Sequence, residues 1–303
     1  MKNHPGMRAF IRLSRLKFLV GGLLGFALGV AIARFDGFAI SWLAYLHGQV
    51  MVSAFHLMIH YSNDYFDRFC DERTVRTPWS GGSGALTEDG LRPGVALAAA
   101  IVCAFVGVAS AIVFWLDGNS AAALTGIASG ILGWAYSAPP VRLLARGWGE
   151  LDVALIVAVL FPLAGYLTFA PAPSVRLFVS VLPAFAAMWV LMFGVEYPDV
   201  EADRETGKLN LIARSGRTRA RAFVYAAVLA IYAGSALGVL LGATPFLEAF
   251  VLLTLPIAWP LFGQLAHGEL ASTPINANIA ARCVALFVVT ALGSVLAYVA
   301  AIL

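Results

Sequence analysis

The sequence predicts an all-α polytopic membrane protein that crosses the bilayer about nine times. Of its 303 residues, 60% are hydrophobic and only 12% charged, with a mean hydropathy of +0.84; a soluble domain carries about twice that share of charge. At about 20 apolar residues per span, a chain of this length with short connections holds roughly eight to ten helices. The basic residues are also sorted: with the N-terminus inside, every Lys and Arg except Arg34 and Arg176 falls in a cytoplasmic segment, as the positive-inside rule requires. The net charge of +3 is too small for a nucleic-acid footprint, and no obligatory protein partner is implied.

Each span is an apolar run bounded by polar or Pro/Gly punctuation. The first, 17–35, follows the basic stretch Lys2, Arg8, Arg12, Arg15 and Lys17. Its apolar run continues to Ala33 without the polar region of a cleavage site, so it reads as a retained span behind a short cytoplasmic tail, 1–16. The second, 38–62, follows so closely on Arg34-Phe35-Asp36-Gly37 that the two form a hairpin. The runs 93–116 and 120–138 come next, the latter stopped by Pro139-Pro140. The remaining runs are 150–170, 175–196, 220–243, 246–265 and 278–303, the last containing Arg282 near its start. A single transmembrane domain over 1–303 is expected. Cys70, Cys103 and Cys283 lie far apart without a CxxC pattern, which supports neither a disulfide framework nor a zinc site.

The acidic residues gather in two places that share the predicted cytoplasmic side. Asp64, Asp67, Asp71, Glu72, Glu88 and Asp89 form the first group, and Glu196, Asp199, Glu201, Asp203 and Glu205 the second. Within the first, Asn63, Asp64, Asp67 and Asp71 are spaced i, i+1, i+4, i+8, and within the second Glu196, Asp199 and Asp203 are spaced i, i+3, i+7. Both spacings place the acids on one side of a helix. Carboxylates packed so closely need a compensating cation, and hard oxygen ligands suit Mg²⁺, which takes one or two carboxylates together with substrate phosphates. Two acidic faces meeting across a bundle would hold metal ions on both sides of a pyrophosphate. Between them, the segment 136–150 stops a helix at its Pro pair and carries Arg142 and Arg146, placed to bind phosphate or lipid headgroups. His56 and His60, one turn apart before the first motif, read as hydrogen-bonded residues facing a polar cavity.

The series NDYFDRFCD (63–71), YSAPPVRLLARGWGE (136–150) and EYPDVEADRETGKLNL (196–211) resembles the UbiA superfamily of intramembrane prenyltransferases. The resemblance implies a ring of about nine transmembrane helices around a central cavity, with the aspartate motifs on cytoplasmic loops. It implies Mg²⁺-assisted transfer of an isoprenoid chain from its diphosphate to an acceptor. Asp64, Asp67, Asp199 and Asp203 would then be catalytic, and together with Asp71 and Glu196 would bind the metal. Asn63, Arg76, Tyr136, Arg142, Arg146 and Lys208 would contact the diphosphate. The chain departs from the family pattern at Glu196, where Asp is more usual, at Leu144, where a lysine is usual, and at Asn210.

The tails RGWGE and ADRETGKLNL resemble most the branch that prenylates dihydroxynaphthoate for menaquinone. This implies an aromatic acceptor in quinone biosynthesis and a bacterial- or archaeal-type cell membrane. Hydroxybenzoate, homogentisate, haem, glyceryl phosphate and terpene cyclisation remain alternatives. An ion-coupled transporter is the non-enzyme alternative, against which stands the position of the acids at helix ends among arginines rather than alone at the bilayer midplane. A CDP-alcohol phosphotransferase would need a DGxxAR start that the chain lacks.

Overall fold

In a computed structural model, residues 5–267 and 273–303 are described, and among them every regular element is helical. A short helix α1 (Pro5–Leu13) leads into α2 (Leu16–Phe35), α3 (Trp42–Asp71), α4 (Pro93–Leu116) and α5 (Ser120–Ser137). The fifth expected span is α6 (Gly149–Leu155), a π-helical turn over Ile156–Leu160, and α7 (Phe161–Leu167). Then follow α8 (Val175–Ser180), α9 (Leu182–Glu196), α10 (Val200–Glu205), α11 (Leu211–Ser215), α12 (Arg217–Leu240), α13 (Phe246–Leu252), α14 (Leu255–His267) and α15 (Thr273–Ile302).

All nine expected spans fold as helix, but the count of nine crossings is not fixed by length and composition. Six helical stretches are long and apolar enough to cross a membrane, and a seventh if the bent pair α13–α14 is one broken span. The two that fall short have physical reasons. Helix α3 carries three histidines and the first acidic motif, and α5 is diluted by glycine, serine, threonine, tryptophan and tyrosine. Helix α3 also runs on to Asp71, so the first motif extends a helix instead of forming a loop. The second motif occupies a 3₁₀ turn, Tyr197–Asp199, and α10.

Close helix contact is made where side chains are smallest. A Cβ on Gly29 would collide with the carbonyl of Pro162, and one on Gly165 with the carbonyl of Phe26, so α2 and α7 meet backbone to backbone. The π turn precedes Pro162, whose missing N–H already interrupts the helical ladder there.

The end of the bundle where α2 finishes is tied by one carboxylate. Asp36 accepts from Arg176, from Tyr166 Oη at 2.7 Å and from Ser174 Oγ at 3.0 Å. Arg176 also donates to the carbonyl of Gly242 at 2.7 Å and lies over the Phe35 ring. At the opposite end, about 30 Å along α2, the expected tail is helical over Pro5–Leu13. Helix α1 buries Leu13, Ser14 Oγ lies 2.8 Å from Tyr61 Oη, and Arg12 donates at 2.7 Å to both Glu88 and Asp89.

Candidate active site

At the second end, helical spacing puts Asn63 and Asp67 one turn apart on α3, and Asn63 Nδ2 donates to Asp67 Oδ2 at 2.7 Å and to Ser137 Oγ at 2.9 Å. Asp64 accepts from the Arg15 guanidinium and from Ser83 Oγ. Arg15 sits between α1 and α2 with φ 43°, a left-handed conformation that non-glycine residues adopt at a cost of about 1 kcal/mol or more. That kink turns its side chain inward.

The loop 80–85 bridges the two acidic motifs. Ser83 holds Asp64, and Gly81 N donates to Asp199 Oδ2 at 3.0 Å. Gly82, with φ +71°, faces Asp71 so closely that a Cβ would strike its carboxylate. Asp203 is held by Asn210 Nδ2 at 2.7 Å and by Cys70 Sγ at 3.2 Å. Lys208 Nζ stands between the motifs, 3.8 Å from Asp67 and 3.5 Å from Asp203. Burial alone would push this ammonium down, but Asp67 and Asp203 outweigh it and hold Lys208 well above its ordinary value.

The carboxylates nonetheless outnumber their partners. Asp199 Oδ1 and both oxygens of Asp152 are buried without a hydrogen-bond partner, and Glu196 is buried against the Glu150 carboxyl. The six expected metal ligands do not form a ready-made cage: among the described residues no group of three or more His, Cys, Asp or Glu is arranged to hold a metal ion. They stand as two sets, and Arg15 and Lys208 relieve their repulsion. The orphaned oxygen of Asp199 and the donor set of hard carboxylate oxygens still fit a divalent cation.

Beside Asn63 and Arg15 opens a cavity of about 150 Å³. Its charged end is shared by Arg15, Asn63, Trp79 and Tyr136, and its depth is apolar, with Ile156 and Val157 of the π turn facing Met188, Met192 and Phe287. The structure thus brings Asn63, Asp64, Asp67, Asp71, Asp199, Asp203, Tyr136 and Lys208 to one end, with Glu196 buried behind.

Of the three loop arginines, only Arg142 carries its charge within reach of an aspartate of the site, Asp67. Arg76 Nε binds Glu88 at 2.6 Å and its Nη1 the Ser83 carbonyl at 3.2 Å, so it braces the loop. Arg142 and Arg146 are exposed, and Arg146 donates to the Pro140 carbonyl at 3.0 Å. Three functional positions escaped the sequence reading: Arg15, Ser83 and Gly81. Nothing in the spacing distinguishes Arg15 from Arg8 or Arg12, because its inward aim comes from the α1–α2 kink. Gly81 and Ser83 belong to the stretch Gly81-Gly82-Ser83-Gly84, whose turns no helical spacing encodes.

A helical membrane bundle whose acidic, cation-bridged end opens into an apolar cavity defines an intramembrane enzyme for amphiphiles with a polyanionic head. The sequence matches the UbiA prenyltransferase family over residues 19–273, and the chain belongs to that family; it is a prenyltransferase. Its fold is similar to that of a UbiA homologue from Aeropyrum pernix K1, with 16% identity, TM-score 0.69, and coverage of 91% of this chain and 96% of the other. It is also similar to a UbiA homologue from Archaeoglobus fulgidus bound to DMAPP and Mg²⁺, with 20% identity, TM-score 0.64, and coverage of 94% and 98%. A structure of digeranylgeranylglyceryl phosphate synthase aligns with 15% identity, TM-score 0.65, and coverage of 98% and 100%. None of the curated proteins matches the chain.

Proposed function

We propose that this prenyltransferase moves an isoprenoid chain from a prenyl diphosphate to an aromatic acceptor of the dihydroxynaphthoate type, in quinone biosynthesis. The observation that carries the reading is the continuity of the acidic, cation-bridged cluster with the apolar cavity. The bound DMAPP and Mg²⁺ of the Archaeoglobus fulgidus homologue support the donor and the metal. The tails 146–150 and 202–211 support the acceptor.

Asp64, Asp67 and Asp71 on one side, and Glu196, Asp199 and Asp203 on the other, would hold Mg²⁺, which when bound neutralises charge on the departing diphosphate. Arg15, Lys208 and Asn63 bind the remaining phosphate oxygens. Arg15 and Lys208 reach them by exchanging carboxylate partners for phosphate, so the charge that stabilises the leaving group is already in place. Tyr136 and Trp79 close the mouth against water, and the apolar depth takes the prenyl tail. Arg142, Arg146 and Arg76 line the approach and engage the diphosphate as it enters. The sorting of basic residues supports a cytoplasmic N-terminus and cytoplasmic loops at 63–92, 139–149 and 197–219.

Purified protein in detergent with Mg²⁺, prenyl diphosphates of several lengths and dihydroxynaphthoate tests this. Mass spectrometry should show the prenylated naphthoate. Prenylation of hydroxybenzoate, homogentisate, haem or glyceryl phosphate instead would move the acceptor while leaving the reaction class. Release of only free isoprenoid alcohol or a cyclised terpene would overturn the acceptor half.

A further inference from the structure

The site-bearing face of α3 continues into the bilayer beyond the phosphate end. His56, His60, Asn63 and Asp67 follow i, i+4, i+7, i+11 spacing, a single stripe on a helix. Both histidines line the cavity with Asn63. His60 lies one turn, about 4.5 Å along the axis, deeper than Asn63. A diphosphate held at Asn63 and Asp64 would direct the first carbon of its allylic chain toward that level.

His60 is also held in one tautomer. Its Nδ1 is 3.3 Å from the carbonyl of Ser14, and a carbonyl can only accept, so Nδ1 carries the proton and Nε2 presents a lone pair. Ser14 is itself fixed by Tyr61. The His60 ring is gripped by His56, centroids 4.7 Å apart, and by the edge of Phe18 at 6.4 Å.

Among the other polar residues of the cavity wall, Arg15 and Trp79 have no acceptor atom, the Asn63 amide is no base, and the Tyr136 phenol is a weak one. His56 turns its unpartnered Nδ1 against Gly22 of α2. Nε2 of His60 is the basic nitrogen of this wall whose tautomer a hydrogen bond fixes.

We infer that His60 is the general base of the transfer, taking through Nε2 the ring proton that the aromatic acceptor loses on alkylation. In the balanced step, the C1–oxygen bond of the donor breaks and its electron pair leaves with diphosphate. A ring carbon of the acceptor bonds to C1. The proton on that ring carbon passes to Nε2, and the C–H electrons restore aromaticity. This rests on the proposed aromatic acceptor.

The test compares wild type with His60→Asn, using the full chain, Mg²⁺, geranyl diphosphate and dihydroxynaphthoate deuterated at the alkylated carbon. Asparagine keeps an N–H where Nδ1 donates to Ser14 but offers no base where Nε2 was. The expected result is a fall of about a hundred-fold in the transfer rate. Acceptor KM should stay within about three-fold, and a primary deuterium isotope effect absent from wild type should appear. An unchanged melting temperature reports an intact fold. Transfer by His60→Asn at the wild-type rate, or a fall in transfer without the isotope effect, would overturn the assignment. Wild type that releases diphosphate without alkylating the naphthoate would instead overturn the acceptor reading, and the assignment with it.

Discussion

The two ends of the bundle both bury charge, but they treat it oppositely. At the Asp36 end, one carboxylate is met by Arg176, Tyr166 and Ser174, and the spare donor of Arg176 is used on Gly242. At the other end, Asp64, Asp67, Asp71, Glu196, Asp199 and Asp203 share chiefly Arg15 and Lys208, Glu196 lies against another acid, Glu150, and Asp199 keeps an orphaned oxygen. A buried charge with all its partners holds structure together, whereas a buried charge without them is an uncollected affinity for a ligand. The difference separates the end that fastens the helices from the end that binds and reacts.

The largest effect that could break this comparison is loss of turnover at the acidic end. Asp67→Ala or Asp199→Ala should leave a folded, inserted protein with less than about a hundredth of the wild-type transfer rate, since several kcal/mol of transition-state stabilisation is removed. Retention of more than about a tenth in either variant would contradict the two-motif mechanism. At the Asp36 end the same kind of change should act on stability alone. Asp36→Asn, which leaves Arg176 without its ion partner, should lower unfolding stability by about 2 kcal/mol while the folded fraction turns over normally. A matching fall in specific activity would erase the distinction.

Glu196→Gln sharpens the comparison, because it replaces a buried acid that lies against Glu150 with a neutral amide. It should be neutral or stabilising, by about 1 kcal/mol, yet slow transfer at least about ten-fold. Sidedness offers a further check. In a background lacking Cys70, Cys103 and Cys283, a cysteine at position 80 or 215 should resist impermeant thiol reagents in intact cells, and one near Asn119 or Pro173 should react.

The smallest effect belongs to Glu88, whose carboxyl Arg12 and Arg76 hold below its ordinary value. A depressed pKa contributes stability above the unfolded-state value, and that contribution is lost as pH falls through the folded value. Because Glu88 is half exposed, Glu88→Gln should cost less than about 1 kcal/mol at pH 7, and the cost should shrink as pH falls below the ordinary carboxylate range. A difference in melting temperature that did not shrink with falling pH would show that the bond acts through something other than charge.

Much of this was legible in the letters because membrane helices announce themselves by apolar length and the acidic motifs by helical spacing. Asn63, Asp67, Asp199 and Asp203 converge as their periodicity requires. What escaped depends on turns whose geometry no periodicity encodes. Arg15 belongs to a basic stretch that looks uniform, and only its left-handed kink selects it for Asp64. Arg142 and Arg146 carry the right charge at the right place in the chain, but the turn after Pro139-Pro140 leaves both exposed. Arg76 sits near the site and is claimed by Glu88.

The most direct test of the open acidic end is thermal stabilisation by ligand. Mg²⁺ and geranyl diphosphate together, at about a hundred times their dissociation constants, should stabilise wild type by about 2.7 kcal/mol. They should stabilise Asp36→Asn by the same increment from its lower starting point and leave Asp199→Ala unmoved. An equal rise in melting temperature for Asp199→Ala and wild type would show that the unpartnered carboxylates are not where the ligand binds.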